Sequence, residues 1–159
     1  MTASPWLTSR PGNHDTRHHP DPTDTAAGDV AERLGVPSET PLLRRDMVLA
    51  LDGEPAALAV SWFVAGLVEG SPIAQPVTVP GGVHGELVRL FGALADAREE
   101  LFARMPTPAE STALRLPPGT PVVELWRTIP AADGRIILEV TRFLFDGVRY
   151  RFAYTVPTG

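Results

Sequence analysis

Regular hydrophobic patterning begins only at Val30, and what precedes it is polar. Residues 1–28 hold many Ser, Thr, Asp and Pro residues and almost no aliphatic side chains. Such a stretch buries too little apolar surface to offset its ordering entropy, so it is predicted to be a disordered Pro/His-rich tail, with the domain at 29–157. Asp29 caps a short helix over 30–34, Gly35 ends it and Pro37 forbids its continuation. Apolar runs at 42–51 and 56–64 flank Asp52-Gly53-Glu54-Pro55 and predict a β-hairpin. Residues 65–82, rich in Gly and Pro, form a long excursion of the kind that carries function in compact domains. Leu87, Leu90 and Phe91 fall at helical spacing and predict a helix over 83–91. Thr107-Pro108-Ala109-Glu110 has the N-cap, first-position proline and third-position glutamate of a helix start. The last third predicts an antiparallel meander. Runs at 121–129, 135–145 and 148–156 are joined by Ala132-Asp133-Gly134 and Asp146-Gly147. Residues 93–105 are good helix formers and would be helical on propensity alone.

Composition narrows the function. The chain has 159 residues, with 19 acids against 14 bases for a net charge of −5, and every base is arginine. That balance disfavours autonomous nucleic-acid binding. With no cysteine, disulfides, thiol catalysis and cysteine-type zinc sites are excluded. The longest apolar run, 56–68, has 13 residues, short of the roughly 20 needed to cross a bilayer, so no membrane association is expected. The polar N-terminus is not a signal peptide, which predicts a cytoplasmic protein. His14, Asp15, His18 and His19 lie close together, but nothing rigid orients them, so no metal site is expected. There is no Gly-x-Gly-x-x-Gly, Walker loop or Gly-x-Ser-x-Gly elbow, and no cofactor is expected.

The order of elements carries a resemblance over 29–156. It rests on A-E-R-L-G-V-P before the first strand, L-D-G-E-P-A at the first turn and S-W-F-V after it. It continues through A-R-M-P-T-P-A-E-S-T-A-L-R-L-P-P-G-T-P-V-V-E-L-W-R-T and D-G-R-I-I-L-E-V-T-R-F-L-F-D-G-V-R-Y-R-F. In this order the segments resemble the UTRA domain, the effector-binding half of the HutC branch of GntR-type bacterial transcription regulators. The resemblance implies an α+β, chorismate-lyase-like fold, with one antiparallel sheet of about six strands flanked by short helices. It also places a strand at 96–105, against propensity, since tertiary context overrides such preferences. Full-length relatives carry an N-terminal winged helix that a 28-residue tail cannot contain, so direct DNA binding by this chain is not expected. Sugar-phosphate-responsive members tend to carry Arg-x-Arg shortly before the first turn. Here the stretch reads Asp46-Met47-Val48-Leu49, which argues against a phosphosugar effector.

Candidate residues are polar ones on buried strands. Glu139 interrupts an apolar run, where an unpaired carboxylate costs several kcal/mol. It either meets an effector, pairs with Arg127 or Arg142, or lies at the sheet edge. Arg127 either clamps an effector carboxylate or pairs with Glu139. Ser61 either donates to a ligand or is a satisfied core hydroxyl. Arg104 either faces the pocket or is solvated. Tyr150, Phe152 and Tyr154 alternate on one face of the last predicted strand as core, with a tyrosine hydroxyl, that of Tyr150 foremost, able to reach the site. His84 is explained by capping or exposure at a helix start. The resulting expectation is a non-enzymatic domain, homodimeric like its relatives, that binds a small organic acid, an amino-acid-related compound or a sugar and acts in transcriptional control. The alternative from another class is a chorismate-lyase-type enzyme that eliminates pyruvate from chorismate, with Arg127 and Glu139 as its nearest functional counterparts.

Overall fold

The computed structural model describes residues 21–25, 28–51 and 53–154. Among them the strands are β1 (Asp21–Thr25), β2 (Pro41–Leu51), β3 (Glu54–Val64), β4 (Arg98–Arg104), β5 (Val122–Pro130) and β6 (Ile137–Asp146). The helices are α1 (Gly28–Leu34), α2 (Ala65–Val68), α3 (Gly82–Phe91) and α4 (Pro108–Leu114), with a 3-10 turn at Pro72–Ala74. The strands make one antiparallel sheet in the order β1-β2-β3-β6-β5-β4. This is the expected α+β architecture, with four strands where the sequence pattern placed them and a fifth, β4, where the family resemblance did. β4 is a strand despite its helix-forming residues, because residues 98–104 pair in continuous register with 122–128 of β5.

The sixth strand is not the one expected. Residues 148–154 do not form a strand after β6. A hairpin partner for β6 would need a free edge, and β6 is already flanked by β3 and β5. The chain turns off the sheet instead. The Asp146 Oδ1 carboxylate accepts the backbone N–H of Val148 at 2.8 Å and of Arg149 at 3.3 Å. Gly147 packs so tightly under Pro121 that a Cβ would lie 2.8 Å from the Pro121 carbonyl oxygen. At the other end, residues 21–25, assigned to the tail on composition, add edge strand β1 to β2. A strand at an edge is held by main-chain hydrogen bonds, so an apolar pattern is not required of it. Residues 1–20, including the histidine cluster, lie outside the described residues.

Side-chain alternation gives the sheet two faces. One packs Leu42, Val60, Trp62, Trp126 and Val140 against Val30, Ala31 and Leu34 of α1, and packs Val122 and Leu144 against Leu114 of α4. Trp62 and Trp126 stack at 5.8 Å on this face, and Arg33 and Arg142 lie over the Trp126 ring. The other face carries Leu43 and Phe63 and is covered by the 65–91 excursion through Val68, Ile73, Val79 and Leu87. Further along it, Tyr150 and Phe152 close over Phe145.

The α4 start is the capping box that its sequence foretells. Thr107 Oγ1 accepts the Glu110 N–H at 3.2 Å, and the Glu110 carboxylate accepts the Thr107 N–H at 2.8 Å. Arg104 adds a two-pronged contact to Glu110, and these hydrogen bonds, set against burial, push the Glu110 carboxyl down to about 2. The folded value lies below the unfolded one. The stabilisation is therefore complete above about pH 4.5 and lost as pH falls towards 2. Glu110→Gln should cost about 1–2 kcal/mol at neutral pH, after allowance for solvent screening, and almost nothing near pH 2. Urea unfolding of both proteins across that range checks this. A deficit independent of pH would contradict it.

Candidate functional site

A polar row crosses the face under the 65–91 excursion. Register pairs Arg45 with Ser61, Ser61 with Thr141, Thr141 with Arg127, and Arg127 with Glu99, across β2, β3, β6, β5 and β4. Cross-strand partners share a face, and Glu139, two residues before Thr141, joins them. Arg45, Ser61, Arg127, Glu139 and Thr141 are all buried, which makes this the densest polar cluster inside the described domain.

Glu139 is its centre and only 4% exposed. Its Oε1 accepts from Thr141 Oγ1 at 2.7 Å and from Ser61 Oγ at 3.0 Å, and the two hydroxyl oxygens are themselves 2.7 Å apart. Its Oε2 is buried and has no hydrogen-bond partner, although His84 Nε2 stands 3.2 Å away. At that ion-pair distance the His84 ring draws on the carboxylate charge from the solvent side. Burial alone would push the Glu139 carboxyl up. The opposing pull of His84 and of the Thr141 and Ser61 hydroxyls is larger, so it stays below the ordinary carboxylate value.

The arginines are committed elsewhere. Arg127 forms an ion pair with Glu99, with Nε 2.7 Å from Oε1, and its guanidinium lies 5.3 Å over the Phe143 ring. Arg142 is on the opposite sheet face, beside Trp126. Glu139 therefore pairs with neither. Arg45, 2% exposed, donates to the carbonyls of Ile73 at 2.6 Å, Gln75 at 2.8 Å and Val77 at 2.8 Å, which fastens the excursion to the sheet.

Ser61 stands beside Glu139, with Arg127 one register pair further along. Arg104 does not join them. It lies on the opposite face between Glu110 and Glu124, neither solvated nor in this site. Tyr150 is not on a strand; it packs on Phe145 at 4.9 Å. Tyr154 donates its hydroxyl to Glu99 Oε2 at 3.2 Å. The sequence patterns singled out neither Arg45 nor Thr141, and they explained His84 by capping or exposure. Thr141 had a usable signal, a second polar residue at period two from Glu139 and on the same face. His84 had none that is local, because only the fold of the excursion brings the start of α3 over β6. Among the described residues, no group of three or more His, Asp or Glu is arranged to hold a metal ion, and no helix is long and apolar enough to cross a membrane.

This sheet, with helices on both faces and a buried polar row beneath one of them, has the fold of the C-terminal domains of GntR-family regulators. A putative GntR-family regulator superposes with a TM-score of 0.80 at 24% identity, over 93% of this chain and 62% of that one. The C-terminal domain of the histidine utilization repressor from Pseudomonas syringae pv. tomato superposes with a TM-score of 0.71 at 16% identity, over 85% and 92%. The chain belongs to the UTRA domain family, whose model matches residues 21–151. It is 32% identical over 132 residues to an HTH-type transcriptional regulator of Streptomyces coelicolor, covering 81% of this chain and 49% of the relative. An HTH-type regulator of Rhizobium meliloti is also 32% identical, over 79% of this chain and 52% of the relative. The chain thus spans about half the length of the curated relatives it matches.

Proposed function

We propose that this domain binds a small-molecule effector and serves bacterial transcriptional control as a sensory unit of the HutC branch, in the cytoplasm and as a homodimer. The effector site is the cluster of Glu139, Ser61, Thr141 and His84, with Arg127 at its margin. One observation carries the reading. A buried carboxylate has one oxygen held by two hydroxyls, while the other meets only a part-exposed histidine at 3.2 Å, a partner that a ligand can replace. Membership of the UTRA family and the regulator relatives on both sides of the sequence comparison support the regulatory role. Control would work by population shift, the ligand favouring one dimer arrangement through its differential affinity. DNA recognition is not ascribed to this chain, and its net charge of −5 agrees with that.

A thermal-shift screen of amino-acid-related compounds, organic acids and sugars tests the reading, since stabilisation follows occupancy. Glu139→Gln then separates ligand binding from structure. No arginine loses its counter-ion in that variant, so free-protein stability should change by less than about 1 kcal/mol. Affinity for whichever compound binds should fall by about 1.5–3 kcal/mol, a factor of roughly 10–150, the scale of one charge-assisted hydrogen bond. Unchanged affinity would remove Glu139 from the site.

A further inference from the structure

We infer that the effector presents a cationic hydrogen-bond donor, a protonated amine or a ring N–H⁺, to Glu139 Oε2, and that the His84 imidazole occupies that donor's place in the ligand-free protein. The inference rests on the effector-site reading above and narrows it to a chemical class.

The donors and acceptors of the cluster lead there. An anionic ligand group needs uncommitted donors, and this face offers few. Thr141 Oγ1 and Ser61 Oγ are both turned to Glu139 Oε1. Arg127 is neutralised by Glu99, and Arg45 is engaged with three carbonyls. What the cluster does offer is an acceptor, the buried Oε2, whose contact is the part-exposed His84 ring. Met47 and Leu49 share this face of β2 by alternation with Arg45 and bring apolar surface, not a second charge. A buried carboxylate attracts a cation far more strongly than a neutral donor, because the low local dielectric magnifies the charge term.

His84 fits the part of a stand-in. Its Nε2 is 3.2 Å from Oε2, yet its side chain is 38% exposed while that of Glu139 is 5% exposed, so the ring is the solvent-facing member of the pair. It sits in the first turn of α3, just after Gly81 and Gly82, whose φ angles of 73° and 80° make the sharp entry into the helix. No neighbouring atom lies within 4 Å of a Cβ built on either glycine, so the helix entry is open on that side. Rotation of the part-exposed ring about its own side-chain bonds would break its contact with Oε2 and leave the sheet in place.

The test uses the whole chain and a probe shaped like the displaced group. In His84→Ala, imidazole at ~50 mM and about pH 6.5, with ionic strength balanced by sodium chloride, should raise the melting temperature by about 3 °C. Wild type, whose own ring fills the place, should rise by less than about 1 °C under the same conditions. Thiazole, an uncharged ring of the same size, and acetate should not stabilise His84→Ala. Imidazole should not stabilise the double variant His84→Ala/Glu139→Gln. No rise in the single variant, an equal rise with acetate, or an equal rise in the double variant would overturn the inference. Circular dichroism establishes that the variant is folded, and His84→Ser serves in its place if it is not. The two readings fail separately. An anionic metabolite whose binding depends on Glu139 would end this inference and leave the effector site standing. Stabilisation of His84→Ala by imidazole, with no metabolite bound at Glu139 in wild type, would leave a cation subsite at Oε2 but end the effector-site reading, and with it the assignment of that chemistry to an effector.

Discussion

Arg45→Met is expected to lower the unfolding free energy by about 3 kcal/mol and to release the segment that roofs the polar row. Methionine keeps most of the length and apolar volume of the side chain but supplies no donors. The Ile73, Gln75 and Val77 carbonyls then lose the guanidinium that holds them at 2.6–2.8 Å. Gln75 and Val77 are exposed, so their carbonyls regain water at little cost, whereas Ile73 is fully buried. Two effects oppose each other. Burial pulls the Arg45 pKa down from its usual value, so removing the buried charge gives some energy back. Hydrogen bonds to a charged donor are worth about 1.5–3 kcal/mol each, and their loss outweighs that relief. Equilibrium urea unfolding measures the total, and amide hydrogen exchange locates it. Exchange should accelerate at 72–79 well beyond the rest of the sheet. A urea midpoint within experimental error of wild type would show that apolar contacts alone hold the excursion down.

The Arg127–Glu99 pair should behave as a unit. Arg127 is 5% exposed and Glu99 is its only acidic hydrogen-bond partner among the described residues, so Glu99→Gln leaves a buried guanidinium without a counter-charge. The expected cost is about 3–5 kcal/mol. Arg127→Met should cost less, about 2–3 kcal/mol, because Glu99 lies nearer the sheet edge and keeps the Tyr154 hydroxyl. The double variant Arg127→Met/Glu99→Gln should lie within about 1.5 kcal/mol of wild type, since replacing both members of a buried pair is often close to neutral. The coupling energy of the cycle is therefore at least about 3.5 kcal/mol. If the single costs simply add, Arg127 is stabilised by its contact with Phe143 and not by its charge. The same cycle bears on function. An Arg127 held by Glu99 is not free to clamp a carboxylate, so Arg127→Met should weaken effector binding less than Glu139→Gln does.

Local chemistry determined whatever depends on a few adjacent residues. Thr107-Pro108-Ala109-Glu110 starts α4 because a capping box satisfies its own backbone N–H groups. β2 and β3 pair antiparallel on either side of the Asp-Gly signal, and apolar spacing makes α3. Glu139 stood out because a carboxylate in an apolar strand requires a reason, and Ser61 stood out as a polar residue opening a buried segment. Tertiary structure decided whatever depends on which strand lies beside which. β4 is a strand because β5 offers it an edge, although its residues would as readily form a helix. Residues 148–154 leave the sheet because both sides of β6 are taken, a fact that no turn signal at Asp146-Gly147 contains. β1 forms from a polar stretch because edge pairing satisfies backbone groups whatever the side chains are. The partner of Glu139 belongs to the same class. Arg127 and Arg142 were the near candidates by sequence, yet strand alternation sends Arg142 to the opposite face, and the β4–β5 register gives Arg127 to Glu99. His84, 55 positions before Glu139 in the chain, arrives at 3.2 Å only because the excursion folds α3 back over the sheet. A sequence specifies its charges and periods locally, but the choice of partner for a buried charge is made by the sheet that brings strands together.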